Sequence, residues 1–140
     1  MKRWMLVLTP LLFLGVLAGC MPGTTAPTTM EVILAGEHEV PPVTTSAFGS
    51  ANVSAAGTAL AVDGAFGGFV ATAAYVHGPA GVGETAGPIF TLVVDNANTH
   101  FEGTFTMTAE QVQWFQDGLM YINLHSDANP SGEIRGQIVP

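Results

Sequence analysis

Two short stretches carry the side chains best suited to chemistry: Ala74-Tyr75-Val76-His77 and Leu119-Met120-Tyr121-Ile122-Asn123-Leu124-His125. In a strand, alternate residues share a face, so Tyr75 points with His77. Tyr121, Asn123 and His125 likewise point together, away from Ile122 and Leu124. A neutral imidazole is a common ligand for copper or zinc. His77 and His125 are therefore candidate metal ligands, with His38, His100, Glu84 or Asp127 as possible completions, because a held ion normally takes three or four. The competing reading makes both histidines neutral, hydrogen-bonded residues that order glycine-rich loops at a rim, and it is favoured because two ligands rarely hold a metal. Arg135 alternates with Glu133 and Gln137 on one face, opposite Ile134, Gly136 and Ile138. A forked guanidinium of this kind is expected to pair with a carboxylate, Glu37, Glu39 or Glu133, and a pair with Glu39 would tie the two ends of the domain together. Asn129, in Asn-Pro-Ser-Gly, reads as a turn former. No Ser–His–Asp order, phosphate loop, carboxylate pair or cysteine-based metal spacing stands out, so no catalytic residue is assigned and the chain is read as a non-enzyme.

Cys20, the single cysteine, carries a different chemistry. Lys2 and Arg3 precede an apolar run from Trp4 to Val16, which is shorter than the about 20 residues a membrane-crossing helix needs and matches the apolar core of a secretory signal. Leu17-Ala18-Gly19-Cys20 then resembles the lipobox of bacterial lipoproteins, whose cysteine thiol carries diacylglycerol. The expectation is a signal peptide at residues 1–19, a lipidated cysteine and Pro/Thr-rich linker at 20–30, and a folded domain at 31–140. Two or three acyl chains such as palmitate hold firmly where one holds marginally. The chain is thus expected on the extracytoplasmic face of the cell membrane or outer membrane, anchored by its lipid. The Asn52-Val53-Ser54 sequon is read as chance in such a protein.

The elements that would position these residues follow from composition and pattern. The 140 residues carry a net charge of −8, and beyond Cys20 eleven acids face only Arg135, a balance of −10. That excludes nucleic acid as a partner, since phosphate contacts need clustered Lys and Arg. One cysteine excludes an internal disulfide, and the length suits a single core. Strand patterns run at Glu31–Ala35, Ser50–Ala55, Thr58–Val62, Ala65–Phe69, Ala71–His77, Ile89–Asp95, Phe101–Met107, Leu119–His125 and Gly132–Val139. Ala56-Gly57 and Asp63-Gly64 read as turns, the second as a strong hairpin signal. Thr108–Asp117 opens with a capping box, Thr108 with Gln111, and closes before Gly118, which predicts one short helix. Phe101, Phe105, Trp114, Phe115 and Tyr121 are expected in the core. Short strands separated by turns predict an all-β, antiparallel sandwich or barrel.

Four stretches are similar to the CHRD domain, first named from chordin. Leu34 to Pro42 (LAGEHEVPP) resembles its opening motif, and Ala74 to Ala80 (AYVHGPA) its AHIHxPA. Leu119 to His125 with Asn129-Pro130 resembles its third motif, and Gly132 to Ile138 (GEIRGQI) its last. Glu39, Asn123, Asn129, Glu133 and Arg135 are the polar residues of these motifs. The resemblance implies an immunoglobulin-like fold distantly similar to copper–zinc superoxide dismutase, and no general biochemical activity. Tyr75 stands where the family motif has its first histidine, which removes half of a His-x-His pair. The function expected is a non-catalytic module of the cell envelope, binding a protein or glycan and needing no cofactor. The alternative is a copper- or zinc-binding, possibly redox, protein using His77 and His125.

Overall fold

The structure, a computed structural model, describes residues 26–140. Cys20, the signal segment and most of the linker lie outside the described residues. Eight antiparallel strands form one closed barrel: β1 Thr28–Ala35, β2 Phe48–Ala56, β3 Ala59–Gly67, β4 Ala73–His77, β5 Pro88–Val94, β6 His100–Thr106, β7 Met120–His125 and β8 Ile134–Ile138. Around the barrel they run β1-β2-β3-β6-β5-β4-β7-β8, and β8 closes on β1 through Ala35 opposite Arg135. The fold is therefore all-β, and of the sandwich and the barrel it is the barrel. β1 begins three residues inside the segment read as linker, with Thr28 opposite Ala55.

Alternation fills the interior. Val32, Leu34, Val53, Leu60, Val62, Val76, Phe101, Ile122, Leu124, Ile134 and Ile138 point inward and are almost fully buried. The helix α1, Ala109–Gln116, plugs one end with Phe115. Its capping box forms as expected: Gln111 N–H donates to the Thr108 hydroxyl at 3.2 Å, and Thr108 N–H donates to Gln111 Oε1 at 2.9 Å. Phe101 and Phe115 are core residues, while Phe105 and Trp114 pack against the core half-buried. Tyr121 is buried but outside the barrel, a correction taken up below.

Asp63-Gly64 is not a hairpin. Both residues lie inside β3, Asp63 between Asn52 and Glu102 and Gly64 between Ala51 and Phe101. The two expected segments flanking them are one strand. Gly64 is there for space, since a Cβ would sit 2.7 Å from the Ser50 carbonyl oxygen and collide with the Phe101 ring. The β2–β3 turn instead uses Gly57, at φ +58°.

Candidate functional site

The outer face of β4, β7 and β8 carries the polar residues singled out by alternation. Tyr75 lies opposite Asn123 and Asn123 opposite Arg135; His77 lies opposite Tyr121 and Tyr121 opposite Gln137. Two loops cover this face. The β4–β5 loop (residues 78–87) folds over it from one end of the barrel, and the β1–β2 loop (residues 36–47) approaches from the other. The cover explains why Glu39, His77, Asn123, Glu133 and Arg135 are all buried although they point away from the core.

Side chains of the face hold the β4–β5 loop by its main chain. His77 Nδ1 lies 2.8 Å from the Ala86 carbonyl, and the Tyr121 hydroxyl donates to the same carbonyl at 3.0 Å while accepting from Ala86 N–H at 3.1 Å. Gln137 Nε2 donates to Ala80 O and Gly118 O, each at 2.8 Å. Arg135 donates to Glu84 O at 2.6 Å, Gly81 O at 2.9 Å and Gln137 Oε1 at 2.9 Å. Its guanidinium carbon lies 3.6 Å from the Tyr121 ring centre, and Tyr121 in turn stacks on His77 at 4.8 Å. Tyr121 thus belongs to this outer layer, between a cation and an imidazole, and not to the core.

The expected Arg135–carboxylate fork is absent. None of the described carboxylates forms an ion pair with Arg135. Glu133 is occupied elsewhere: it accepts from the Thr45 hydroxyl, from Ser126 Oγ at 2.7 Å and from Asn129 Nδ2 at 2.5 Å. Burial pushes the Glu133 carboxyl up, but these three hydrogen bonds together outweigh it and hold the net shift below the ordinary range. Glu37 is largely exposed. Glu39 accepts from Asn123 Nδ2 at 3.3 Å. The first and last motifs meet through other atoms, His38 Nδ1 at 3.1 Å from the Arg135 carbonyl, and Thr45, beyond the first motif in the same loop, bonds Glu133. Asn129 shapes its loop: its N–H donates to Ser126 Oγ at 2.9 Å and its carbonyl accepts from Gly132 N–H at 3.0 Å.

Arg135→Lys is expected to lower stability by about 2 kcal/mol, because one ammonium cannot reach two loop carbonyls and Gln137 while lying flat on Tyr121. Chemical denaturation checks it, and an unchanged midpoint would mean the forked contacts with the loop carry no stability.

The histidines come together but do not assemble a metal cage. The His77 and His125 rings lie 6.0 Å apart, 28° from parallel. Both Nε2 atoms are buried without a hydrogen-bond partner among the described residues. Burial holds both rings' pKa values below the ordinary histidine range. Among the described residues no third ligand groups with them. Glu84 Oε2 accepts from Gly81 N–H, and His38 bonds Arg135. His100 lies on β6 beside Asp63 and Glu102, where it makes the one three-ligand group found among the described residues, on an exposed surface. Among the described residues, His77 and His125 offer two donors where a held ion normally takes three or four.

Sequence reasoning missed Thr45 and Ser126, which have no spacing signal; it placed Gln137 beside Arg135 but not on the loop carbonyls, and it read Gly132 only as part of a turn, where φ is +146° and an added Cβ would meet Glu39 and Asn123. It also missed a cleft of about 580 Å³ between the two loops, lined by Ile33, Val40, Pro42, Val82, Arg135 and Gln137 among others.

These features define an all-β barrel whose outer face is a buried polar layer clamped under two loops. A family model for the CHRD domain matches residues 30–138, and the chain belongs to that family. No curated protein and no solved structure matches it.

Proposed function

We propose that this CHRD-domain protein is a lipid-anchored, extracytoplasmic module of the cell envelope that works by contact and not by turnover. The observation carrying the reading is Leu17-Ala18-Gly19-Cys20, the single cysteine placed directly after a short apolar run. Its partner is an envelope component engaged at the β4–β7–β8 face. Two features support that surface: the loops over it are held in place by buried side chains, and the face leaves a cleft between them. A rigid, preformed surface loses little entropy on binding. The incomplete donor set at His77 and His125 favours contact over metal chemistry.

Expression of the full chain in a bacterial host fed labelled palmitate tests the anchor. Label is expected in the wild type and lost in Cys20→Ser, which moves to the soluble fraction. Label retained by Cys20→Ser, or Met1 still present in mature wild-type material, would overturn it. The same wild-type preparation, loaded with copper or zinc and desalted, is expected to hold no stoichiometric metal. A full equivalent that disappears in both His77→Ala and His125→Ala would install the metal-binding reading instead.

A further inference from the structure

We infer that the cleft between the β1–β2 and β4–β5 loops binds a small organic monocarboxylate, its carboxylate seated on Arg135 and its apolar body against Ile33, Val40 and Val82. The inference rests on the reading of the chain as a contact module and names the ligand class of that face.

Charge points to an anion. Arg135 is the only Lys or Arg among the described residues and is 2% exposed. A buried charge normally acquires a counter-charge, because removal from water is only then compensated. Among the described residues Arg135 has none within ion-pair distance; main-chain carbonyls, Gln137 and the Tyr121 ring supply dipoles only. Three of a guanidinium's five N–H donors are committed, and Arg135 is among the residues that line the cleft. Glu39, also on the cleft wall, has its carboxyl pushed up to about 7 by burial, so near neutrality much of it is proton-bound and does not neutralise Arg135.

The walls point to an apolar body. Ile33 is 57% exposed on β1 and Val82 is 83% exposed at the loop tip, with Val40 and Pro42 beside them. One exposed aliphatic needs no explanation, but several converging on a buried cation do. The size of the charge follows from the count. One guanidinium, near Glu37 and Glu39 and inside a balance of −10, matches one negative charge and disfavours a phosphate dianion.

Titration of the purified full chain with hexanoate, hexanamide, acetate and inorganic phosphate, followed by isothermal calorimetry, tests this. Hexanoate is expected to bind at least tenfold more tightly than each of the other three. Arg135→Gln is expected to abolish that preference. Because Arg135→Gln also releases the loop, Val82→Asp is the second variant. Val82 is exposed, so its melting temperature should stay unchanged while hexanoate binding falls at least tenfold. Equal binding of hexanoate and hexanamide, tighter binding of phosphate, no binding of hexanoate, or an unaffected Val82→Asp would each overturn the inference. None of these outcomes touches the palmitate result at Cys20, so the anchor and the ligand stand or fall separately.

Discussion

Gly132→Ala is expected to be the most damaging single methyl addition in the loops, lowering the unfolding free energy by about 3 kcal/mol. Two effects add. The backbone at Gly132 has φ +146°, a conformation that side chains with a Cβ rarely adopt. A Cβ there would also lie 2.5 Å from Glu39 Oε1, 2.6 Å from Asn123 Oδ1 and 2.6 Å from Glu39 Oε2. Neither neighbour can yield cheaply, because both side chains are buried and hydrogen-bonded to each other. Gly57→Ala is the control. Its φ is +58°, also left-handed, but a Cβ there meets nothing within 4 Å, so it should lose only about 1 kcal/mol. Urea denaturation of both variants separates strain from collision. Equal losses would show that the packing of Glu39 and Asn123 around Gly132 contributes nothing.

A second large effect concerns pH. In the native barrel, burial raises the Glu39 carboxyl from 4.5 to about 7, against the lowering pull of Arg135 and the Asn123 hydrogen bond, and with Glu133 adding repulsion. The sign follows from linkage. Below pH 4.5 the carboxyl is protonated folded and unfolded alike, and the native state loses nothing there. Between pH 4.5 and 7 the unfolded chain gives up its proton first, so stability falls as pH rises. Above 7 the loss is complete, on the order of 2–3 kcal/mol. His77, His125 and Glu133 act in the opposite sense: their native pKa values are lowered, so their contributions are full at higher pH and are lost on acidification. Protonated Glu39 also has a use for its hydrogen, since Glu39 Oε1 and Asn123 Oδ1 both lack a partner among the described residues and both crowd Gly132. Glu39→Gln supplies an N–H at that place and cannot ionise. It is expected to gain about 2 kcal/mol over wild type at pH 7.5 and little at pH 5, measured by denaturant unfolding at both values. Parallel pH profiles for the two proteins would show that Glu39 is not held protonated.

Much of the architecture was legible because it rests on local rules. Period-two alternation identified the inward set, including Ile122, Leu124, Ile134 and Ile138, and the outward set of Tyr75, His77, Tyr121, Asn123 and His125. Thr108 and Gln111 marked the helix start because a capping box satisfies its own orphan N–H groups within four residues. Asp63-Gly64 misled for the reverse reason. Its turn propensity is local, but the Phe101 ring and the Ser50 carbonyl that need a glycine at position 64 arrive from β6 and β2.

Local pattern alone is thus enough for the class of the protein: an antiparallel all-β domain with one capped helix, and the strand faces on which its polar residues stand. What those residues touch depends on contacts between segments far apart in the chain. Arg135 was matched to carboxylates because carboxylates are visible as residue types. Its partners are instead the main-chain carbonyls of Gly81 and Glu84, more than fifty positions away. Every residue has a carbonyl, so none signals itself in a sequence, and which one meets a guanidinium depends on how a distant loop folds across the barrel wall. The same closure of two loops over one face turned outward-pointing polar residues into buried ones and left the cleft between them.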